Sequence, residues 1–132
     1  MKRSEIRENI FRLVFCAEFH ASEEIPEQVK TYLEEIPDLK QDDQEYIQNK
    51  FEEIKKRVPE IDSRINEVAK GWKTDRMGKS ELAIIRLAVY EMLYDETVPV
   101  KVAINEAVDL ARKYGGDESP AFVNGILAKL VS

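Results

Sequence analysis

Cysteine, histidine and tryptophan are scarce in this 132-residue sequence, which contains one of each. The single cysteine, Cys16, excludes an intramolecular disulfide and cannot supply the thiolate cluster of a structural zinc site. The only histidine, His20, has no recognisable nucleophile or acid beside it in a motif, so a catalytic triad is not predicted. We expect Cys16 to be a buried, unreactive thiol and His20 to be a surface or capping residue. No enzymatic activity, cofactor or metal is expected.

Long apolar runs are also missing. No segment approaches the ~20 apolar residues that cross a bilayer, and the N-terminal MKRSEIRENI lacks the apolar centre of a secretory signal. We therefore expect neither membrane insertion nor export, and the lone cysteine favours the reducing cytoplasm. A glycine-rich phosphate loop, an HExxH motif and a calcium loop are likewise absent from the sequence.

Negative charge is in excess but unevenly distributed. The formal net charge of −6 argues against nucleic acid, because phosphate binding needs clustered Lys and Arg. Residues 1–20 hold four basic and three acidic side chains, residues 21–70 hold eight and fourteen, and residues 71–132 hold eight and nine. Because the acid is concentrated in the middle, either end of the chain can still present a basic face.

Apolar residues recur at helical spacing, and no window shows the sustained alternation of a strand. We predict an all-α fold of about seven helices in two small bundles that share a core, with subdomains at about 1–58 and 59–132. The first helix, over about residues 4–19, is apolar on two sides. Such a helix is packed on both sides or offers one side to a partner.

Prolines and capping residues set the limits of the next three helices. The second helix lies between Pro26 and Pro37, and a variant of the capping box at Asp42 opens the third. The fourth begins at Pro59 and is expected to include Trp72 in its apolar stripe.

Apolar patterning, glycine and a capping residue predict the limits of the last three helices. The fifth, over about residues 80–94, is apolar almost all round, which predicts a place at the centre of the fold. The sixth begins near Pro99 and ends at Gly115 and Gly116, where we expect glycine in the left-handed conformation. Ser119 is the expected N-cap of the seventh.

Basic residues at the start of the chain are candidates for binding phosphates. Lys2 and Arg3 precede Arg7, and the two arginines are four residues apart, so they share one face of a helix. Glu5 and Glu8 lie among them. An ordinary solvated helix start therefore remains the alternative.

Two aromatic residues and a basic connection are further candidates for contact with nucleic acid. Phe15 and Phe122 have the chemistry to stack on unpaired bases, although phenylalanine at helical spacing is more often part of a core. Lys73, Arg76 and Lys79 occupy the connection before the fifth helix, where a loop can approach a nucleic-acid backbone. Their alternative role is solubility.

Polar residues also interrupt the apolar patterns of the last three helices. They are Arg86, Glu91, Asn105, Glu106 and Asn124. An unpaired buried charge or amide is unfavourable by about 1–3 kcal/mol or more, so each needs a partner. An internal hydrogen-bond network, a protein-binding face and an RNA-binding face are the three possibilities. We expect the internal network for Arg86 and Asn105.

Several of these segments together carry a family resemblance. They are Trp72, Asp75 and Arg76, the run from Ser80 to Met92 with IIRLAVYEM, the run VPVKVAINEAVDLARKYG, and FVNGIL from Phe122. In order and spacing they resemble the signature of the NusB family of bacterial transcription antitermination factors.

The resemblance implies an all-helical, non-enzymatic RNA-binding domain over residues 1–132. It implies binding of boxA RNA together with NusE, a protein of the small ribosomal subunit, and read-through by the RNA polymerase antitermination complex, notably in ribosomal RNA operons. The implied RNA-binding residues are Lys2, Arg3, Arg7, Phe15, Arg76, Phe122 and Asn124, to which the basic connection adds Lys79. The implied NusE face lies around Glu81, Tyr90 and Glu91.

The sequence departs from the family at its start, where many members carry consecutive arginines and this one has KRSEIR. We therefore expect weak RNA affinity alone and a larger dependence on NusE. A homodimer through the two-sided first helix is a further possibility. The alternatives to the main interpretation are a helical interaction or oligomerisation module without RNA binding, and the NusB-like domain of a ribosomal RNA methyltransferase.

Overall fold

The structure, a computed structural model, describes residues 1–131. These residues form seven α-helices and two short 3₁₀ turns, and no strand occurs among them. The all-α fold and the expected helix number are confirmed. The helices are α1 (Arg3–Ala17), α2 (Ile25–Glu34), α3 (Gln41–Lys56), α4 (Val58–Val68), α5 (Lys79–Tyr94), α6 (Val100–Tyr114) and α7 (Ser119–Val131). None of these helices has the length and apolar character that crossing a membrane requires.

The chain divides into two compact units, the first covering Met1–Lys55 and the second beginning at Lys56. The first unit contains α1, α2 and nearly all of α3. Each of these helices buries a stripe of apolar side chains spaced three or four residues apart, as an amphipathic helix does against a core. The buried residues are Ile10, Phe11, Leu13, Val14, Ile25, Val29, Leu33, Ile47, Phe51 and Ile54.

Hydrogen bonds fix the helix starts and contacts of the first unit. The Glu5 carboxylate accepts a bond from the Lys2 backbone N–H at 3.3 Å, which caps α1. Tyr32 of α2 donates its hydroxyl to Asn9 Oδ1 of α1 at 2.6 Å. The α3 helix already begins at Gln41, so Asp42 lies in the first turn rather than at the N-cap.

Exposure of Cys16 corrects one expectation. The thiol is exposed, not buried. Cys16 follows Arg12 by four residues in α1 and therefore lies on the same exposed face of the helix. The apolar neighbours in sequence, Phe15 and Ala17, do not cover it because adjacent residues on a helix point in different directions.

The second unit is built around α5. Every residue from Leu82 to Val89 is buried, and α5 packs against α4, α6 and α7. The α6 helix turns a row of small residues inward, with Ala103, Ala107 and Ala111 four residues apart and buried. Small side chains on that face allow a close approach between helices. The expected central position of the fifth helix is confirmed within this unit.

Arg86 is the buried cation of α5, and it is paired. Its side chain is 10% exposed and donates from Nε to Asp62 Oδ1 at 2.9 Å and from Nη2 to Asp62 Oδ2 at 2.7 Å. This bidentate arrangement confirms the internal network expected for Arg86. The same expectation is wrong for Asn105, which is exposed on the side of α6 opposite Ala103 and Ala107.

Replacement of Arg86 by methionine tests the ion pair. Arg86→Met should lower the free energy of unfolding by about 2–4 kcal/mol, because the Asp62 carboxylate loses its partner in a largely buried position. Chemical denaturation measures the change. The double variant Arg86→Met/Asp62→Leu is the control and should recover at least half of the loss. A single variant within about 0.5 kcal/mol of the unmodified protein would contradict this account.

Candidate nucleic-acid interface

The connection between α4 and α5 is anchored at several points. Ala69 and Met77, near its two ends, are buried. Gly71 has φ +83°, a left-handed conformation that favours glycine. Asn66 of α4 accepts the Thr74 backbone N–H on Oδ1 at 2.9 Å. These contacts hold the connection in one conformation and fix the direction of the side chains that it presents.

Three of those side chains form a cluster of aromatic and cationic groups, here called the Trp72 cluster (Trp72, Arg76 and Phe122). Trp72 is 57% exposed, and its ring lies 6.5 Å from that of Phe122, centroid to centroid, at 75°. The Arg76 guanidinium carbon lies 5.8 Å from the Trp72 ring centroid. An exposed indole can stack on an unpaired base, and an adjacent guanidinium can bind a phosphate.

The exposure of Trp72 corrects the expectation that it belongs to the apolar stripe of the fourth helix. The α4 helix ends at Val68, and Trp72 lies beyond it in the connection. Its sequence context carries a usable signal. Gly71 before it and Lys73 after it are typical of a loop that presents a side chain to solvent.

Other predicted residues of the second unit lie at different positions. Lys79 is the first residue of α5 and is exposed. Asn124 is exposed and lines a groove between α6 and α7 together with Asn105 and Arg112. It follows Phe122 by two residues, which places the two side chains on nearly opposite sides of α7. The structure therefore brings Arg76 and Phe122 together but separates Asn124 from them.

The predicted residues of the first unit all lie on or next to α1. Lys2 and Arg3 are exposed, Arg7 is half-buried, and the two arginines share one side of the helix. Phe15 is half-buried between two other rings. Its centroid lies 6.1 Å from that of buried Phe11 and 5.0 Å from that of Phe19, which is 58% exposed.

The predicted partner residues differ in accessibility. Glu81 is half-buried and accepts a hydrogen bond from the Ser119 hydroxyl at 2.6 Å. Glu91 is 2% exposed, so the prediction that it contacts a partner is not supported by its position on the inward side of α5. Tyr90 is half-buried, with its ring centroid 5.8 Å from that of Tyr94. Of the three residues, Glu81 and Tyr90 are thus partly exposed and Glu91 is buried.

Tyr94 belongs to a small polar cluster with residues of α4 and its N-cap. Its hydroxyl donates to Glu60 Oε2 at 2.9 Å, and the Arg57 guanidinium carbon lies 4.2 Å from its ring centroid. The hydrogen bond to Glu60, followed by burial, raises the pKa of Tyr94 above its usual value. Loss of the phenolic proton would remove the donor and place two negative charges side by side.

Glycine and serine shape the connection between α6 and α7. The Ser119 hydroxyl accepts the Gly116 backbone N–H at 3.0 Å while it donates to Glu81. Gly115 has φ −102°, so the left-handed conformation expected there is wrong. Glycine is required at position 115 for another reason. A Cβ at position 115 would overlap Ser119 and lie 2.8 Å from the Ala111 carbonyl oxygen.

Among residues 1–131 there is no group of three or more His, Cys, Asp or Glu side chains that could hold a metal ion.

The chain is similar to known proteins over nearly its whole length. The model of the NusB family matches residues 4–132. The transcription antitermination protein NusB of Lachnoclostridium phytofermentans is 50% identical over 131 residues, which are 99% of each chain. The protein of the same name from Agathobacter rectalis is 50% identical over 129 residues, covering 98% of each chain.

Solved structures show the same fold. NusB of T. maritima superposes with a TM-score of 0.86 at 31% identity, covering 98% of this chain and 90% of that one. NusB in a crystal structure of the antitermination factors NusB and NusE with double-stranded RNA has a TM-score of 0.85 at 26% identity. That match covers 97% of this chain and 94% of that one.

A methyl group at position 115 tests the α6–α7 connection. Gly115→Ala should lower the free energy of unfolding by about 1–3 kcal/mol, because the new Cβ collides with Ser119 and with α6 backbone. Thermal or chemical denaturation measures the loss. Gly116→Ala is the matched control and should change stability by less than about 0.5 kcal/mol, since no atom lies within 4 Å of its Cβ position. Equal effects of the two variants would rule out the collision.

Proposed function

The chain belongs to the NusB family of transcription antitermination proteins, and we propose that it binds boxA RNA together with NusE. In this role it supports read-through by the RNA polymerase antitermination complex, notably in ribosomal RNA operons. The role is one of binding, without catalysis, and its place is the cytoplasm. The observation that carries the proposal is the exposed Trp72 cluster on an anchored connection, in a chain similar to a NusB crystallised with NusE and RNA.

The Trp72 cluster is a proposed base-stacking contact of the second unit with RNA. Proteins bind single strands by stacking unpaired bases on aromatic rings, with cationic side chains on the adjoining phosphates. Trp72 offers the exposed ring, Phe122 supports it edge to face, and Arg76 supplies the charge. Lys79 is a second phosphate ligand in this proposal. Asn124 is assigned to a separate contact because it lies on the other side of α7.

The start of α1 is a proposed phosphate-binding contact of the first unit with RNA. Lys2 and Arg3 are exposed, and Arg7 lies one turn further along the same side of α1 as Arg3. Glu5 is exposed within this segment and offsets one positive charge, although its carboxylate also caps the helix. The resulting net charge is small. We therefore expect weak binding to RNA alone and a strong gain when NusE brings its own contacts. Phe15, half-buried in its row of rings, is a candidate for a further stacking contact.

The proposed NusE face lies at the end of α5 and the beginning of α6. Tyr90 and Tyr94 lie side by side there, and Leu93 and Val100 are 36% and 38% exposed. Aromatic and aliphatic side chains of this kind are typical of the centre of a protein interface. Glu81 lies in the first turn of α5, at the other end of that helix, where it accepts the Ser119 hydroxyl. A homodimer is the alternative use of exposed apolar surface, and Phe19 at the end of α1 is its most exposed aromatic candidate.

Titration of boxA RNA and a scrambled RNA, with and without NusE, tests the proposal. We expect NusE to strengthen binding to boxA more than binding to the scrambled RNA. The absence of binding to both RNAs, even with NusE present, would refute the RNA-binding function. It would instead favour an interaction or oligomerisation module without RNA.

Removal of two arginines tests the α1 contact. Arg3→Ala/Arg7→Ala should weaken boxA binding and reduce the slope of log K against log salt by about 1.4, at about 0.7 per phosphate of a single strand. Fluorescence anisotropy at several salt concentrations measures both, and the NusE complex should remain intact. The control is Arg64→Ala, which removes an exposed arginine of α4 that is paired with Glu67. An unchanged slope in the double variant would move the phosphate contacts elsewhere.

Removal of the exposed indole tests the stacking contact. Trp72→Ala should weaken boxA binding about 5- to 150-fold, which corresponds to about 1–3 kcal/mol for one stacked base. The salt slope should stay the same because no charge is removed. The matched control is Tyr46→Ala, which removes another exposed aromatic that carries a neighbouring cation, Lys50, at 5.0 Å. Equal losses in the two variants would contradict a specific role for Trp72.

A further inference from the structure

An apolar groove lies between α1 and α2 in the first unit, and none of its lining residues is assigned above to RNA or NusE. Its volume is about 280 Å³. The apolar lining comes from all three helices of the unit and consists of Leu13, Ala17, Ile25, Val29 and Phe51. Leu13, Ile25, Val29 and Phe51 are each at most 6% exposed, so they form the walls of a recess rather than an exposed apolar patch.

The size of the groove limits what fits. An apolar cavity of about 150 Å³ holds a benzene molecule, whereas sites for drug-sized ligands and cofactors span about 300–1,000 Å³. At about 280 Å³ the groove matches one large side chain, such as tryptophan, phenylalanine or leucine. The volume therefore points to an anchor residue of another chain rather than to a cofactor.

The shape of the groove is already fixed in the structure. Phe51, in its floor, is 2% exposed and cannot rearrange freely. Tyr32, at its edge, is held by the 2.6 Å hydrogen bond from its hydroxyl to Asn9. Because the groove is already formed, binding requires little ordering of side chains, and the unfavourable free energy of that ordering is small.

The segment that forms the α2 wall of the groove is strongly acidic. Residues 21–38, which include α2, contain six carboxylates and one lysine, and all six carboxylates are exposed. Glu35 lines the groove itself. A field of this sign repels phosphates and attracts lysine and arginine. It therefore disfavours RNA at this surface and favours a basic polypeptide.

We propose that the groove between α1 and α2 is a docking site for a basic protein segment that inserts one bulky apolar side chain. The anchor occupies the space above Val29 and Phe51. Lysine or arginine residues beside the anchor pair with Glu35, the carboxylate that lines the groove. The site is separate from the RNA-binding function proposed above and does not depend on it.

Three short peptides test the proposal on the full chain by two-dimensional NMR. The peptides are acetyl-Lys-Arg-Trp-Lys-Arg-amide, the same peptide with alanine in place of tryptophan, and acetyl-Glu-Asp-Trp-Asp-Glu-amide. The basic tryptophan peptide should shift the amide signals of groove residues with a dissociation constant of about 1 mM or lower. The alanine peptide should bind at least about 10-fold more weakly, since it lacks the buried side chain. The acidic peptide should not bind.

Variants of the groove give the matched comparison. Ala17→Phe places a ring in the groove. It should weaken binding of the basic tryptophan peptide more than about 10-fold, because the ring fills the space that the tryptophan side chain needs. Glu35→Gln, at the groove, should weaken peptide binding about 2- to 5-fold. Glu34→Gln changes the adjacent residue, which does not line the groove, and should weaken peptide binding less than about 2-fold. The comparison of Glu35→Gln with Glu34→Gln still tests the proposal if the Ala17→Phe variant fails to fold.

Several outcomes would overturn the proposal. Absence of binding by the basic tryptophan peptide, or equal binding of the tryptophan and alanine peptides, would exclude an anchored segment. Equal binding of free indole would assign the groove to small apolar molecules. Shifts of the same amides by boxA RNA would assign it to nucleic acid. Concentration-dependent shifts without peptide, abolished in Ala17→Phe, would assign it to a second copy of this chain.

Discussion

The burial of α5 is the constraint on which the second unit depends. A helix that is apolar almost all round must be covered on several sides, and α4, α6 and α7 supply that cover. The one cation in the buried stretch, Arg86, then needs a carboxylate within reach, and Asp62 of α4 provides it. Because the bidentate pair has a fixed geometry, it sets the position of α4 against α5. The connection between these two helices, which carries Trp72 and Arg76, must span a fixed gap.

The start of α5 also determines where α7 begins. Glu81, in the first turn of α5, accepts the Ser119 hydroxyl, and the same hydroxyl accepts the backbone N–H of Gly116. Phe122 lies one turn after Ser119, and this link therefore fixes it where it meets Trp72. Glu81, which the sequence assigns to a partner, thus also makes a contact within the protein. It positions an aromatic side chain that faces the proposed RNA site.

The sequence predicts most of the fold because helical periodicity is a local property that packing here does not override. The central position of α5 and the pairing of Arg86 follow from apolar character and the unfavourable free energy of an unpaired buried charge. Exposure at helix ends is harder to predict. Trp72 fits the stripe of α4 by spacing alone, but the helix ends before reaching it. Cys16 and Asn105 have apolar neighbours in sequence, yet the other helices cover different faces. The role of Gly115 depends on its contact with Ser119, which no pattern in the sequence reveals.

The net charge of −6 does not decide which partners this protein binds, because charge acts locally at physiological salt. The Debye length there is about 8 Å. From Arg3 to Ala17, α1 contains 15 residues, so at 1.5 Å per residue its ends lie about 21 Å apart, more than two Debye lengths. A phosphate at the Arg3 end is therefore screened from carboxylates beside the Ala17 end, where the groove with α2 lies. One helix can in this way present a basic surface at its start and an acidic, apolar surface at its end. Binding of RNA at the start and of a basic protein segment at the end are thus compatible in a single acidic chain.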